Sequence, residues 1–430
     1  MTKPLNLELL APAGNMLKMK TAFAYGADAV YLGIPDFSLR VRINDFNLKG
    51  IEQAVKYAHQ NKRKVYVTAN IFAHNSHLKS FRVYLKKLKK IKPDALIVSD
   101  PGILQIIKDV WPEAEIHLST QANCTNLEAA KFWVQQGVSR IILGREVTLK
   151  EIKEIHRALP KLELEYFVHG AMCMAYSGRC FLSKLFVDRS GNLGDCAQPC
   201  RWQYQVGHYF LKADGHDEEL ELVEEKHGAY LLNSQDLCLI KYLPELVRAG
   251  ITSFKIEGRA KSVYYQATVC AAYRQALDLI NSKPLVVIKK ELTSLFQELD
   301  TKLVHRGYTT GFLLKDKANQ NIKNSHQASS WEFCGQVISS SYQKTKSATS
   351  SLVAIKFKVH NTIKIGDTVE ILLPGQKIIK FKLKQLFNFA TKEEIGKAHG
   401  GGGSTEALII LPAGNSLVPE FSILRRKLVK

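Results

Sequence analysis

The stretch RIILGREVTLKEIKEIHRALPKLELEYFVHG, residues Arg140–Gly170, contains an apolar run, a helical pattern and a second apolar run in succession. RIIL and LELEYFV have the length and composition of buried strands. TLKEIKEIHRAL, which lies between them, has the apolar spacing of an amphipathic helix. A strand–helix–strand unit of about 30 residues joins two parallel strands. The stretch therefore predicts a parallel sheet that is covered by helices.

The same alternation recurs through the first 285 residues. Eight apolar runs, each followed by a helix-like segment, begin at Leu7, Ala29, Lys64, Ala95, Glu115, Arg140, Leu162 and Thr252. Eight strands that alternate with helices close into a (β/α)8, TIM-like barrel, which is the α/β fold we predict. An open doubly wound sheet is the alternative. No GxGxxG follows the first strand, so a dinucleotide-binding fold has no local support.

Active sites of such barrels lie at the carboxyl ends of the strands. The polar residues predicted at those ends are Asn70, His74, Asp100, Gln121, Asn123, Arg145, Glu146, His169, Glu257 and Arg259. Glu257 is a candidate general base, although a pairing with Lys255 or Arg259 is the structural alternative. His169 is a candidate for proton transfer or metal ligation, although a strand-end histidine often only bonds to backbone.

Four of the eight cysteines fall between His169 and Trp202, with the spacing Cys173-x6-Cys180-x15-Cys196-x3-Cys200. Four thiolates this close in sequence predict one metal centre, because thiolate is the ligand that iron–sulfur clusters and structural zinc select. The paired CxxC knuckles of zinc sites are absent. The chain opens MTKPLNLELL without an apolar signal region, so we expect a reducing cytoplasm rather than disulfides. The remaining cysteines, which look like core residues, are Cys124, Cys238, Cys270 and Cys334.

The predicted domains are a barrel over residues 1–313, a linker over 314–330 and a C-terminal domain over 331–430. The cysteine segment begins directly after the seventh strand and belongs to an insertion over about 171–229. It must therefore fold over the mouth of the barrel. Alternating segments after the linker predict a small antiparallel β-barrel.

The formal net charge is +20, which indicates either a solubilising surface or a polyanionic partner such as RNA. The last hundred residues alone carry 15 Lys+Arg and 7 Asp+Glu. LKSFRVYLKKLKKIK, from Leu78, predicts a helix with a basic face. No apolar run approaches the roughly 20 residues that a membrane span needs, so we expect no membrane association.

Several ordered motifs resemble bacterial peptidase family U32. They are ELLAPAGN, AYGADAVYLG, SLRVRINDFN, HGAMCMAYSGRCFLS, GDCAQPCRW, SFKIEGRAKS and HRGYTTGF, which together extend from Glu8 to about Phe312. The C-terminal segment ending in ILRRKL is more loosely similar. Members that resemble this chain are associated with oxygen-independent hydroxylation of RNA, although the family name records a protease assignment.

The resemblance implies an iron–sulfur cluster, expected as [4Fe–4S], on Cys173, Cys180, Cys196 and Cys200. Cys238 is an alternative fourth ligand, as in one branch of the family. The resemblance also implies tRNA as the partner, 5-hydroxyuridine at the wobble position as the product, and prephenate as the oxygen source and co-substrate. The iron–sulfur assembly machinery would be a further partner.

The two carboxylates of prephenate call for arginines, because a guanidinium binds a carboxylate as a planar fork. The candidates are Arg40, Arg42, Arg145, Arg201 and Arg259. Tyr176 and Arg179 are candidates for tuning the cluster by hydrogen bonds. Three other functions stay open. One is hydroxylation of ribosomal RNA. Another is a metal-dependent peptidase or collagenase, although HExxH and GxSxG are both absent. The last is an RNA-binding adaptor that holds zinc.

Overall fold

The protein is described here by a computed structural model. The described residues are 5–39, 45–173, 175, 180, 182–202, 211–212, 219–220, 233–314, 326–344, 351–375, 377–401 and 405–428. The chain divides into two compact units. The barrel unit comprises Met1–Met16, Asp28–Ala260 and Val304–Gln327. The C-terminal unit comprises Leu17–Ala27, Lys261–Leu303 and Ala328–Lys430.

The barrel unit contains twelve strands within the described part of the chain. They are β1 Glu8–Pro12, β2 Ala29–Leu32, β3 Lys64–Ala69, β4 Ala95–Val98, β5 Ile116–Leu118, β6 Arg140–Ile142, β7 Glu163–Ala171, β8 Leu211–Lys212, β9 Glu219–Leu220, β10 Asp236–Cys238, β11 Ile251–Ile256 and β12 Tyr308–Thr309. Strands β1 to β7 and β11 are parallel neighbours in that order. The circle closes because β11 pairs in parallel with both β1 and β7. The predicted TIM-like barrel is therefore confirmed.

Ten helices are described. They are α1 Met16–Ala24, α2 Leu48–Gln60, α3 Asn75–Ile91, α4 Pro101–Val110, α5 Leu127–Gln135, α6 Leu149–Ala158, α7 Leu182–Val187, α8 Leu243–Arg248, α9 Val263–Ser282 and α10 Leu285–Lys302. Local chemistry starts several of them. Thr148 and Glu151 form a reciprocal capping box at α6, and Asp100 accepts a hydrogen bond from Ile103 N at α4. Asp100, predicted at a strand end, therefore has a structural role as a helix cap.

Strand β7 is longer than its neighbours, and its carboxyl end carries a second set of partners. There β10 pairs antiparallel with β7, so that Cys238 lies opposite His169. The other edge of β10 pairs in parallel with β12. Gly170 has φ +110°, a conformation that side chains rarely adopt. A Cβ at Gly170 would lie 2.4 Å from the carbonyl oxygen of Glu257. The glycine thus allows the end of β7 to approach the backbone of Glu257.

We expect Gly170→Ala to lower the free energy of unfolding by about 3 kcal/mol, because it adds a steric clash to an unfavourable φ. Gly137→Ala is the matched control. Gly137 also has positive φ, at +80°, but no atom lies within 4 Å of its added Cβ, so about 1 kcal/mol is expected. Denaturant unfolding measures both values. Equal losses in the two variants would show that the approach to Glu257 is not tight.

The C-terminal unit combines α9, α10 and most of α1 with nine strands. These are β13 Trp331–Lys344, β14 Ser351–Val359, β15 Ile363–Lys364, β16 Thr368–Leu372, β17 Ile378–Lys382, β18 Leu386–Asn388, β19 Lys397–Ala398, β20 Glu406–Ile410 and β21 Ile423–Lys427. Seven of them form one antiparallel sheet in the order β17-β16-β21-β13-β14-β20-β18. This sheet curves around an apolar core that includes Val337, Ile355 and Phe357. It is a half-barrel, because no ladder joins its edge strands in the described residues.

A buried ion cluster lies inside the C-terminal unit. Arg425 of β21 is fully buried, and its Nη2 lies 2.8 Å from Glu370 Oε2. Lys302 Nζ lies 2.8 Å from the same oxygen, and Glu298 also pairs with Arg425. Helix α10 and the sheet are therefore joined by polar contacts as well as by apolar packing.

The boundary between the units differs from the one expected from the sequence. The sequence predicts residues 17–27 and 261–303 as part of the barrel domain, but they group with the C-terminal sheet. Their helical pattern predicts a buried face without saying which sheet covers it. Of the cysteine-bearing insertion, residues 174, 176–179, 181, 203–210, 213–218 and 221–229 lie outside the described residues, as do 315–325 of the linker. No described helix is long and apolar enough to cross a membrane.

Candidate active site

A cavity of about 130 Å³ lies at the carboxyl ends of the barrel strands, where the sequence predicts the chemistry. Three groups of side chains line it. Neutral polar groups come from β3 and β5, charged groups come from β6 and β11, and thiols come from the segment after β7. Those that carry the argument are Asn70, Ser119, Gln121, Arg145, Lys255, Glu257, Arg259, Cys173, Cys180 and Cys196.

Six of the eight predicted site residues reach this cavity, namely Arg145, Glu257, Arg259, Cys173, Cys180 and Cys196. His169 and Cys200 are not among the lining residues. His169 is buried, and its ring centre lies 5.5 Å from that of Tyr308. His169 therefore lies behind the lining rather than in it, and its predicted role in proton transfer stays a prediction.

A short turn after α7 holds two of the cysteines. The side chain of Asn192 accepts a hydrogen bond from Cys180 N at 3.1 Å, and the carbonyl of Asn192 accepts one from Phe72 N at 3.4 Å. A Cβ at Gly191 would lie 3.7 Å from the thiol of Cys196. The backbone N–H of Gln198 points at that same thiol, with an N–Sγ distance of 3.4 Å. The segment thus fixes its cysteines by backbone hydrogen bonds.

The Cys200 thiol is affected electrostatically by the other three thiols of the segment. Burial raises the pKa of the Cys200 thiol, Arg201 opposes this, and the thiols of Cys173, Cys196 and Cys180 raise it further. None of the eight cysteines is in a disulfide. By contrast, Cys124, Cys238, Cys270 and Cys334 are buried, in agreement with the expectation that they are core residues.

The cysteine segment offers the donor atoms that a thiolate-ligated metal or cluster needs, and it offers them close together. The free thiols of Cys173, Cys180 and Cys196 line the cavity, and each of the three raises the pKa of Cys200. Ligand geometry is a separate matter. No three His, Cys, Asp or Glu side chains among the described residues are arranged as a metal site. The residues that would hold a cluster are therefore identified by their chemistry, not by metal–ligand distances.

Arg145 and Glu257 form an ion pair across two strand ends. Arg145 Nη2 lies 3.4 Å from Glu257 Oε2, and both side chains are largely buried. The guanidinium also stacks on the ring of Phe167, 3.9 Å from its centre. Among the described residues the guanidinium makes one long contact with a carboxylate, so it can still bind a second carboxylate.

Arg259 is held more tightly. Its Nη1 donates to Ser38 Oγ at 2.9 Å, and its Nη2 donates to the carbonyl of Leu39. The predicted fork for a ligand carboxylate is therefore already bound to the 38–39 segment. The structure instead favours a positioning role for Arg259. Among the other arginine candidates, Arg40 and Arg42 lie outside the described residues, as do Tyr176 and Arg179, while Arg201 donates to Gln198.

Lys255 lines the cavity, although sequence reasoning predicts it only as a partner of Glu257. Its Nζ lies 2.6 Å from Glu165 Oε1 and 4.5 Å from the ring centre of Tyr31. Burial lowers its pKa, and Glu165 partly counteracts that effect. Strand alternation could have found it, because Ser253 and Lys255 share one face of β11. An inward lysine next to the strand end is a ligand-binding candidate.

A layer of charged residues supports Lys255 from inside the barrel. Arg140 lies 3.2 Å from Glu165 and also pairs with Glu8. Burial raises the pKa of Glu8, but Arg140 and hydrogen bonds from Tyr66 and Ser253 hold that pKa below its usual value. The layer keeps Glu8 charged in a buried environment, and Glu165, which contacts both Arg140 and Lys255, fixes the position of the lysine.

Comparison with known proteins gives a family and named relatives. The family model described as Peptidase family U32 matches residues 14–323. The tRNA hydroxylation protein P of Haemophilus influenzae is 38% identical over 471 residues, which cover 100% of this chain and 98% of that protein. The protein of the same name from Escherichia coli is 38% identical, over 97% of this chain and 96% of that protein. The 23S rRNA 5-hydroxycytidine C2501 synthase of Escherichia coli is 40% identical, over 64% of this chain and 40% of that protein.

Proposed function

Because the chain belongs to peptidase family U32, and because two relatives that match nearly its whole length are named for tRNA hydroxylation, we propose that it is a tRNA-modifying enzyme that converts the wobble uridine to 5-hydroxyuridine. The observation that carries this proposal is the cavity itself. It combines a thiol cluster, amide groups that suit a nucleobase, and buried cations that suit a carboxylate. The sequence has neither HExxH nor GxSxG, which speaks against a peptidase.

The reaction explains why these groups are needed together. Hydroxylation replaces the hydrogen on C5 by a hydroxyl group, so the base loses two electrons and gains an oxygen. Side chains alone do not supply such redox chemistry. We propose that Cys173, Cys180, Cys196 and Cys200 hold an iron–sulfur cluster, expected as [4Fe–4S], which supplies the electron-transfer chemistry when bound. Its insertion would require the iron–sulfur assembly machinery.

The charged side of the cavity suits a dicarboxylate oxygen donor, for which prephenate is our candidate. Lys255 and the stacked guanidinium of Arg145 are the cations that remain available to its carboxylates. The C–O bond of the donor breaks and the bond from uracil C5 to oxygen forms. The donor carries away the two electrons and takes up a proton. Glu257, which pairs with Arg145, is our candidate to accept the proton that leaves C5.

The test is a nucleoside analysis of RNA from a strain that lacks the gene. We expect 5-hydroxyuridine to disappear from the tRNA fraction and to return with the wild-type gene. Loss of a modified nucleoside from ribosomal RNA alone would replace tRNA by ribosomal RNA as the target. Unchanged RNA, together with cleavage of gelatin by the anaerobically purified protein, would support the peptidase alternative. Colourless protein that contains zinc would support the RNA-binding adaptor.

Salt dependence tests the role of the net charge of +20. If about six phosphates are contacted, tRNA affinity should fall about 20- to 40-fold for each doubling of salt concentration, because counterions are released on binding. Filter binding or fluorescence anisotropy measures this slope. Lys380 and Lys382 of β17 are exposed, and replacing both by Ser removes two positive charges. If the C-terminal sheet binds RNA, the slope of log affinity against log salt concentration should become shallower by up to about 2. A flat dependence would contradict RNA binding through phosphates.

A further inference from the structure

The neutral polar side of the cavity is organised by a chain of hydrogen bonds that begins at the backbone. The N–H of Leu39 can only donate, and it donates to Asn70 Oδ1 at 3.3 Å. The orientation of the Asn70 amide is therefore set, and its Nδ2 faces the other way. There Nδ2 donates to Ser119 Oγ at 3.2 Å and to Gln121 Oε1 at 3.3 Å.

The donor and acceptor count at Ser119 then determines the orientation of Gln121. Ser119 Oγ accepts from Asn70 Nδ2 and, at 3.5 Å, from the backbone N–H of Gln121. Both lone pairs of the hydroxyl are thus used, so its hydrogen donates to Gln121 Oε1. The oxygen of the Gln121 amide receives two hydrogen bonds, and the amide nitrogen points elsewhere.

The amide nitrogen of Gln121 is the group that this chain presents to a ligand. Gln121 is half-buried and lines the cavity, and its Nε2 has no hydrogen-bond partner among the described residues. Asn70 follows β3 and Gln121 follows β5, and each of these strands lies three positions from β11 around the barrel. The amide donor and the charged groups of β11 therefore approach the cavity from different sides.

The two pyrimidines differ at the position that such a donor would read. Uracil carries the acceptor O4, where cytosine carries an amino group that donates. A fixed N–H donor can hydrogen-bond to O4 of uracil. If cytosine entered, the same donor would face the amino group, which is also a donor. A base that enters the cavity must leave its neighbours, as bases do in other enzymes that modify them.

We propose that Gln121 is the residue that selects uridine over cytidine, by donating from Nε2 to O4 of the base, and that Asn70 positions it. This inference rests on the proposed function. Arg259 belongs to the same assembly, because it donates to the carbonyl of Leu39, the residue whose N–H orients Asn70. The cavity thus separates base selection from the binding of the carboxylate co-substrate.

Gln121→Glu tests the proposal in the full-length, cluster-loaded protein. The substitution keeps the shape of the side chain and replaces the donor by an acceptor. The substrates are two anticodon stem-loops that carry either uridine or cytidine at the wobble position, and mass spectrometry quantifies both hydroxylated nucleosides. We expect the ratio of uridine to cytidine hydroxylation to fall about ten- to hundredfold, because one hydrogen-bonded contact is exchanged. Gln53→Glu, on the exposed face of α2, is the matched control and should leave the ratio unchanged.

Asn70→Asp is an independent second variant. The new carboxylate cannot donate to Gln121, so the Gln121 amide turns its nitrogen toward it and presents Oε1 to the cavity. The same shift toward cytidine is expected, with iron content unchanged, whereas mere structural damage would slow both substrates alike. Active Gln121→Glu and Asn70→Asp proteins with the wild-type ratio would overturn the inference. Wild-type protein that hydroxylates neither substrate would instead count against the proposed function.

Discussion

Cys196→Ala is expected to reduce bound iron to background, to remove the brown absorbance of anaerobically purified protein, and to abolish formation of 5-hydroxyuridine. Cys196 lines the cavity, and its thiol lies against Gly191 and the backbone N–H of Gln198. Three remaining thiolates leave one iron of the proposed cluster without its protein ligand. Iron analysis, the absorption spectrum and nucleoside analysis of complemented cells measure the three effects separately.

Two buried cysteines outside the cluster segment serve as the control for this prediction. Cys270 and Cys334 are buried, and burial raises the pKa of each thiol. A neutral buried thiol acts as a small apolar side chain rather than as a ligand. Cys270→Ala and Cys334→Ala should therefore keep iron, colour and activity. Full retention of iron in Cys196→Ala, or loss of iron in Cys270→Ala with the fold intact, would refute the assignment of the four ligands.

Lys255→Met should lose both stability and activity. Glu165 has no exposed surface, and removal of Lys255 takes away its 2.6 Å partner, while Arg140 and Ser253 remain at 3.2 Å. A buried carboxylate that loses one of its cations costs about 3 kcal/mol of folding free energy. If Lys255 also binds the carboxylate co-substrate, kcat/KM for that molecule should fall about 10- to 100-fold.

The double variant Lys255→Met with Glu165→Gln separates the two effects. It removes the buried charge together with its partner, so most of the lost stability should return. Activity should not return, because the cation that faces the cavity is still missing. Denaturant unfolding and single-turnover assays at several co-substrate concentrations give the two readouts. Recovery of wild-type kcat/KM in the double variant would show that Lys255 acts only as a structural partner of Glu165.

Much of this protein could be predicted from the sequence because the relevant signals are local. Apolar runs that alternate with amphipathic helices, as in Arg140–Gly170, require a parallel sheet, and eight of them close a barrel. The carboxyl ends of parallel strands share one edge, so Arg145 and Glu257 could be assigned to one site, and their side chains lie 3.4 Å apart. The spacing of the four cysteines is equally local, and three of them line the cavity.

Other features depend on contacts between residues that are far apart in the chain, and only the tertiary structure decides those. Arg259 looks like a free fork in the sequence, but it is bound to Ser38 and Leu39. Helices α9 and α10 group with the C-terminal sheet, although they follow the barrel strands directly. An amphipathic pattern states how much surface must be buried, but packing partners decide where it is buried.

The sequence by itself therefore determined the barrel, and it predicted the edge for the chemistry and the thiol donors, because chain direction, side-chain periodicity and cysteine spacing are local properties. The direction in which the Gln121 amide points was decided only in three dimensions. It depends on the backbone N–H of Leu39, on Asn70 and on Ser119, which come from the segment after β2 and from the ends of β3 and β5. Hydrogen-bond donors and acceptors acquire a fixed orientation only when folding brings their partners together.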